Sequence, residues 1–360
     1  MLSKESAMPA TCAFHPSEVT VHRPPDFGNL LSVLRRERPS RPTLFEFFLN
    51  GPLEKVLAGD AWLEGDDTFT RFRNRMSAFR AAGYDYVTWM AAEIGFPAGP
   101  RGHGKRSVSM NEGAVIHDRA SFDAYPWPDP ETMDYSLLDR AREVLPDGMK
   151  IVVNGPCGVL ENMMSLVGYE STCLMIYEDS ELARDIFDAI GSRLLKYYER
   201  AAAHPAVGAC IANDDWGFKT QPMLAPRDMR KYVFPWHRRI AAAVHAQGKP
   251  VILHSCGNLR EVMDDIVDDI RMDGKHSYED SIQRVEEAYE EYGRRIAILG
   301  GLDLDFVCRG SPEEITKRGR AMLQRAASRG GYALGTGNSV PDYVPQENYL
   351  AMLKAALLAG

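Results

Sequence analysis

The sequence predicts an α/β fold of the (β/α)8 barrel type. Three observations predict it. Eight short apolar segments recur along the chain, amphipathic helical patterns separate them, and the length of 360 residues suits one barrel domain without any internal repeat.

The eight segments are "TLFEFF" (43–48), "YDYVTW" (84–89), "KIVVN" (150–154), "VGACIAN" (207–213), "PVILHS" (250–255), "IRMDGKH" (270–276), "IAILGG" (296–301) and "GYALGT" (331–336). Each is the length of a strand buried on both faces, as parallel strands under helices are. The sixth has thin apolar content, which leaves a doubly wound open sheet as the alternative. Among the helices, 226–248 opens at Pro226 and closes at Gly248, and 311–330 begins Ser-Pro-Glu-Glu and ends at Gly330. Residues 1–40 read as an N-terminal arm carrying one helix in "DFGNLLSVLRRER", and 41–360 as the barrel domain. The Gly- and Pro-rich stretch 94–134, with strand-like pieces "KRSVSM" and "GAVIHD", reads as an insertion after the second strand.

Composition narrows the function class. The chain is 45% hydrophobic and 26% charged, as a globular protein with a large core should be. A net charge of −8 argues against a nucleic-acid or anionic-membrane surface. No apolar run approaches the roughly 20 residues of a membrane helix, and residues 1–25 lack a signal-type apolar core, so the expected location is cytoplasmic. Six cysteines (12, 157, 173, 210, 256, 308) without paired spacing read as thiols rather than a disulfide framework. "GTGNSV" is too short and misplaced for a nucleotide loop.

Barrel enzymes carry their chemistry at the C-terminal strand ends. Here those ends present Glu46 and Asn50, Trp89 and Glu93, Asn154, Asn213-Asp214-Asp215, His254 and Cys256, His276 and Glu279, Asp303, and Asn338. Burying so many polar groups without a use costs several kcal/mol in unmet hydrogen bonds. A polar pocket is the expectation, with Asn258 and Asp303 as simple helix caps. His254 and Cys256 are two apart on a strand, so both side chains face one side, and imidazole with thiolate is a donor pair that zinc favours. Gly257 then lets the backbone turn sharply. A third ligand is expected from Glu279, 23 residues past Cys256 at the next strand end, because neighbouring strands lie about 4.8 Å apart. His276 can serve as ligand, supporting partner or general base; Cys308 is the weaker sulfur candidate.

The segments "HSCGN", "NGPCGVLENM", "NDDWGFKTQPMLAPRDMRKYVFPWHRRI", "AILGGLDLDFVCRGSPEEI" and "GTGNSVPDYVPQENYLAM" resemble the uroporphyrinogen decarboxylase superfamily, from about Leu44 to the C-terminus. They are most similar to its corrinoid-linked methyltransferase branch. The resemblance implies a (β/α)8 barrel and, for that branch, zinc held by a His-x-Cys pair and a later cysteine near the last strand. His254 and Cys256 match the pair, whereas Thr336, Gly337 and Asn338 stand where the later cysteine is expected. A more distant barrel relative, cobalamin-independent methionine synthase, has a glutamate ligand at a spacing that Glu279 matches. The arginines and tyrosine typical of true decarboxylases are missing; Asn162 stands near the tyrosine position, and Asp85 is the only remaining acidic candidate. The resemblance thus implies a zinc methyltransferase working between a small methylated compound or thiol and a corrinoid (cobalamin) on a separate protein, or a folate. It also makes a homodimer a natural expectation. His276, Asp214 and Asp215 are the expected catalytic or supporting residues; Glu46, Asn154, Asn213, Trp216 and Asn338 are the expected substrate contacts. The runner-up activities are decarboxylation of a tetrapyrrole and ligand binding without turnover.

Overall fold

In the computed structural model, which describes residues 23–100 and 110–358, seven strands form one parallel sheet with sequential strand order. They are β1 (Tyr86–Met90), β2 (Lys150–Asn154), β3 (Val207–Asn213), β4 (Val251–His254), β5 (Gly274–His276), β6 (Ala297–Leu299) and β7 (Tyr332–Ala333). Sequential order in a curled parallel sheet, with helices between successive strands, is a TIM-barrel-like arrangement. The apolar runs become strands because Val, Ile and Ala fill both faces: every residue of Ile151–Val153 and Val251–His254 is buried.

The first predicted strand differs. Residues 43–49 touch the sheet only at isolated bridges, Leu44 to Leu334 and Leu49 to Val340. On the β1 side, hydroxyls replace the backbone ladder. The Tyr86 hydroxyl donates to the Glu46 carbonyl and accepts from the Glu46 amide, each at 2.7 Å, and the Thr88 hydroxyl donates to the Phe47 carbonyl at 2.6 Å. Two side chains occupy the space where backbone pairing would run, so no ladder forms. The sixth candidate shortens to Gly274–His276, because Arg271 takes a left-handed φ of 67° and ends the preceding π turn.

The predicted helices hold, with one irregularity. Within 226–248 the chain runs as Pro226–Asp228, a π turn at Met229–Val233, and Phe234–Ala246. Pro235 lacks the N–H that would bond four residues back, and the widened turn just before it absorbs that loss. Ser311 and Glu314 form a reciprocal capping box at the start of Pro312–Ala326. The arm's helix is Gly28–Leu34; residues 1–22 of the predicted arm lie outside the described residues. Of the predicted insertion, "KRSVSM" lies almost wholly outside them, and "GAVIHD" forms no strand but hangs Val115 and Ile116 amides on the Leu166 carbonyl. None of the five described cysteines forms a disulfide; Cys12 lies outside the described residues. No helix among the described residues is long and apolar enough to cross a membrane.

Candidate metal centre

Register sets the site. Asn213, His254 and His276 pair across β3, β4 and β5, so their side chains leave one face of the sheet at the same level. The 43–49 segment covers two of them: the Phe47 ring packs 4.6 Å from His254, and Phe45 lies 5.1 Å from His276. Just past β4, Gly257 turns the chain with φ 84°; a Cβ there would sit 2.0 Å from the Gly217 carbonyl oxygen. Glycine alone permits that approach, and it brings the end of β4 against the loop after β3.

That turn places Cys256 beside His254 and Asp215. Donor atoms of Asp215, His254 and Cys256 all lie within 4.8 Å of one another. The Cys256 sulfur is 3.9 Å from His254 Nε2, and the Cys256 amide donates to Asp215 Oδ1 at 2.8 Å. Asn338 donates its Nδ2 to the sulfur at 3.3 Å. Thus an amide occupies the place, after the last strand, where a second cysteine was expected.

Hydrogen bonding fixes the histidine tautomers. The Thr336 carbonyl, 3.3 Å from His276 Nε2, can only accept, so His276 carries its proton on Nε2. Its Nδ1 is then a lone pair, and it accepts from His254 Nδ1 at 2.8 Å. That leaves His254 Nε2 unprotonated and facing Cys256. Burial favours the neutral rings throughout: it lowers the His254 pKa well below the usual range and that of His276 to about 3. Behind His276, the Thr336 hydroxyl and amide donate to Glu46 at 2.7 and 3.2 Å. Glu46 is wholly buried, which pushes its pKa up to about 8. It therefore supports Thr336 from below and is sealed from any substrate, contrary to its expected role.

The other expected site residues fall in several places. Glu279 is outside the three-residue cluster; Asp215 supplies the carboxylate there. The reach argument counted strand spacings but not direction: after β5 the chain bends away at Ser277–Tyr278, where the Tyr278 amide bonds to the Gly337 carbonyl. Glu279 and Cys308 instead line a cavity of about 1180 Å³ beside Asn338. Asp214 is fully buried and turned to structure. Its carboxylate accepts from the Leu160 and Glu161 amides at 3.0 and 2.9 Å and pairs with His237 at 2.9 Å. Trp216 is a core residue, wedged against Phe234 and edge-on to His237. Asn213 accepts from the Gly155 amide, tying β3 to the β2 loop, and Asn154 lines a cavity at the β1–β2 ends.

Two residues escaped the sequence reading. Lys275 is buried, with its ammonium donating to the Ser277 carbonyl at 2.7 Å and lying 4.3 Å from the Tyr278 ring centroid. Burial lowers its pKa to about 8, while the charges of Cys256, Asp215 and Glu279 pull it back up. A lysine inside a predicted barrel strand was the available signal. Glu161 sits behind Asp215, and burial first, then the Asp214 and Asp215 charges, raise its pKa to about 8. It lay hidden in a helical pattern.

The cluster suits a metal better than an isolated thiol. Burial and the Asp215 charge push the Cys256 thiol up to about 12, so without a cation the sulfur stays protonated. Imidazole nitrogen, sulfur and carboxylate oxygen are the donor types of protein zinc sites.

Asp85 and Asn162, the positions weighed for decarboxylation, are both structural. Asp85 lies at the opposite, N-terminal end of β1, paired with Arg41 and accepting from the Asp26 amide. Asn162 donates to the Gly158 and Pro156 carbonyls.

Comparison with known proteins agrees with this fold. A "methyltransferase from Methanosarcina mazei" superposes with a TM-score of 0.66 at 16% identity, covering 91% of this chain and 97% of that one. The chain is 24% identical over 281 residues to uroporphyrinogen decarboxylase of Anaeromyxobacter dehalogenans, covering 75% of this chain and 77% of the relative. It is 27% identical over 265 residues to uroporphyrinogen decarboxylase of Chloroflexus aggregans, covering 67% and 69%. The uroporphyrinogen decarboxylase (URO-D) family profile matches residues 111–357, and the chain belongs to that family.

Proposed function

We propose that this protein is a zinc-dependent methyltransferase of the cytoplasm, moving a methyl group between a small methylated compound or thiol and a corrinoid protein, or a folate. Residues 41–360 would act as one (β/α)8-type barrel, with 43–49 as its eighth stave. The observation carrying this reading is the convergence of Asp215, His254 and Cys256, with His254 Nε2 left unprotonated by the bonds behind it.

Asp215, His254 and Cys256 would hold the ion, and three protein donors leave a position for a substrate atom. Bound there, zinc would supply Lewis acidity that favours the anionic form of an incoming thiol or hydroxyl. The chain's own residues do the rest. His276 and the Thr336 carbonyl hold the His254 tautomer, and Asn338 donates to the Cys256 sulfur. Phe45 and Phe47 shield both imidazoles from water. Substituting carboxylate for a second thiolate leaves the site less electron-rich, so oxygen as well as sulfur substrates fit its chemistry.

Metal analysis of the purified protein and of Asp215→Asn, His254→Ala and Cys256→Ser tests the reading. One equivalent of zinc is expected in the wild type and a strongly reduced content in each variant. Wild-type protein lacking stoichiometric zinc after zinc supplementation would remove its support. The named decarboxylase relatives favour a second reading, tetrapyrrole decarboxylation. Carbon dioxide release from uroporphyrinogen would establish it.

A further inference from the structure

Residues 43–49 and 334–340 run side by side, bridged at Leu44–Leu334 and Leu49–Val340. Glu46 lies between the bridges. A Cβ on Gly335 would sit 1.7 Å from the Phe45 carbonyl oxygen, so glycine is what lets the two backbones meet there. Glu46 and Thr336 are both 0% exposed. The Glu46 carboxyl accepts from the Thr336 amide at Oε2, 3.2 Å, and its Oε1 lies 2.7 Å from the Thr336 hydroxyl. That hydroxyl also lies 3.0 Å from the Asn338 carbonyl.

Proton counting separates two states. A hydroxyl carries one proton, and a carbonyl can only accept. With Glu46 ionised, the Thr336 hydroxyl donates to the carboxylate and the Asn338 carbonyl loses that donor. With Glu46 protonated, the carboxyl donates to the Thr336 oxygen and the hydroxyl proton turns to Asn338, so both contacts hold a hydrogen. The surroundings favour the second state. The titratable groups facing Glu46 are Tyr84 and Tyr86 at the start of β1, Tyr349 in helix Gln346–Leu357, and His276 beyond Thr336. Burial keeps the phenols and the imidazole uncharged, so none of them offsets a buried carboxylate.

The short loop 336–338 carries two supports of the candidate metal centre. The Thr336 carbonyl accepts from His276 Nε2 at 3.3 Å, and the Asn338 amide donates to the Cys256 sulfur at 3.3 Å. We infer that Glu46 is a positioning residue for that centre: its proton directs the Thr336 hydroxyl to the Asn338 carbonyl and so holds the loop against His276 and Cys256. Ionisation reverses the hydroxyl, releases Asn338 and weakens the metal site. The effect on metal rests on the zinc reading above; the hydroxyl switch stands without it.

The test compares zinc dissociation constants of the full chain and of Glu46→Gln, whose amide mimics the protonated acid. Chelator competition is run at pH values on either side of about 8, where Glu46 titrates. Dividing the wild-type constant by that of the variant at each pH cancels protonation of the ligands themselves. The ratio should rise about tenfold with pH, the lower end of what losing a group behind a metal ligand costs. A flat ratio overturns the inference. So does a falling one, because a carboxylate acting only as a charge would attract the cation. Thr336→Val has no hydroxyl to turn, so adding Glu46→Gln to it should give a flat ratio, and a rise there also overturns the inference. Wild type against Thr336→Val carries the same rising signal should Glu46→Gln not fold. Nitrogen-15 spectra of the metal-free protein follow the Thr336 backbone and Asn338 side-chain amides. In wild type both should move with a midpoint near pH 8, and in Glu46→Gln neither should. Wild type without stoichiometric zinc but with that paired movement sinks the metal reading and leaves the switch standing. Amides that stay still overturn the inference whether or not zinc binds.

Discussion

Replacing His276 by alanine should weaken zinc binding without touching a ligand. His254 Nδ1 loses the acceptor 2.8 Å away that fixes its tautomer, and Nε2 is then free to carry the proton in part of the population. Loss of such a partner behind a metal ligand typically costs 10–100-fold in affinity. Each tenfold corresponds to about 1.4 kcal/mol, so the expected loss is about 1.4–2.8 kcal/mol of binding. A separate stability loss of about 1–3 kcal/mol follows from the buried Nδ1–H left without a partner, on top of the void left by a ring that packs against Phe45. His276→Asn retains a carbonyl acceptor and should recover part of the affinity. Competition against a chromophoric chelator gives the zinc dissociation constant, thermal unfolding gives the stability, and nitrogen-15 spectra of the imidazoles report the tautomer. A variant that melts earlier but binds zinc like the wild type refutes the relay argument, because packing alone would then account for His276.

Three other outcomes follow from the same geometry. Asp215→Asn should lower zinc affinity at least tenfold, whereas Glu279→Gln should leave it unchanged; equal effects in a chelator competition would mean the carboxylates have been misassigned. Asp214→Ala strips the buried Leu160 amide, the partly buried Glu161 amide and the buried His237 ring of their acceptor. It should destabilise the fold by about 2–4 kcal/mol, read as a shifted urea midpoint, while Asp214→Asn should lose less. Glu46 ordinarily titrates near 4.5 but is raised to about 8 in the fold, so the folded state holds the proton more tightly. Its contribution to stability is complete below about pH 4.5 and is lost as pH rises through about 8. Metal-free Glu46→Gln should therefore gain stability relative to wild type between pH 5 and 9, and a pH-independent difference would argue against a buried, protonated carboxyl. His276 acts oppositely in the metal-free protein: lowered from 6.5 to about 3, it withdraws stability as pH falls across that window.

The sequence carried the alternation of strands and helices legibly, because runs such as "KIVVN" and "VGACIAN" are apolar enough to be buried on both faces. It also marked the His254–Cys256 pair, because period-two spacing and donor chemistry are local properties. It could not decide which carboxylate joins them. Asp214 and Asp215 are adjacent and chemically identical, yet one turns to the amides of helix Val159–Val167 and the other to Cys256. That choice depends on Gly257 meeting Gly217 across two loops, a contact no sequence spacing reports. Likewise Glu46 read as a substrate contact at a strand end, whereas residues 43–49 close against the end of β7 with that buried carboxyl accepting from Thr336. Local chemistry named the kinds of groups available; the direction in which each loop leaves its strand decided which of them meet.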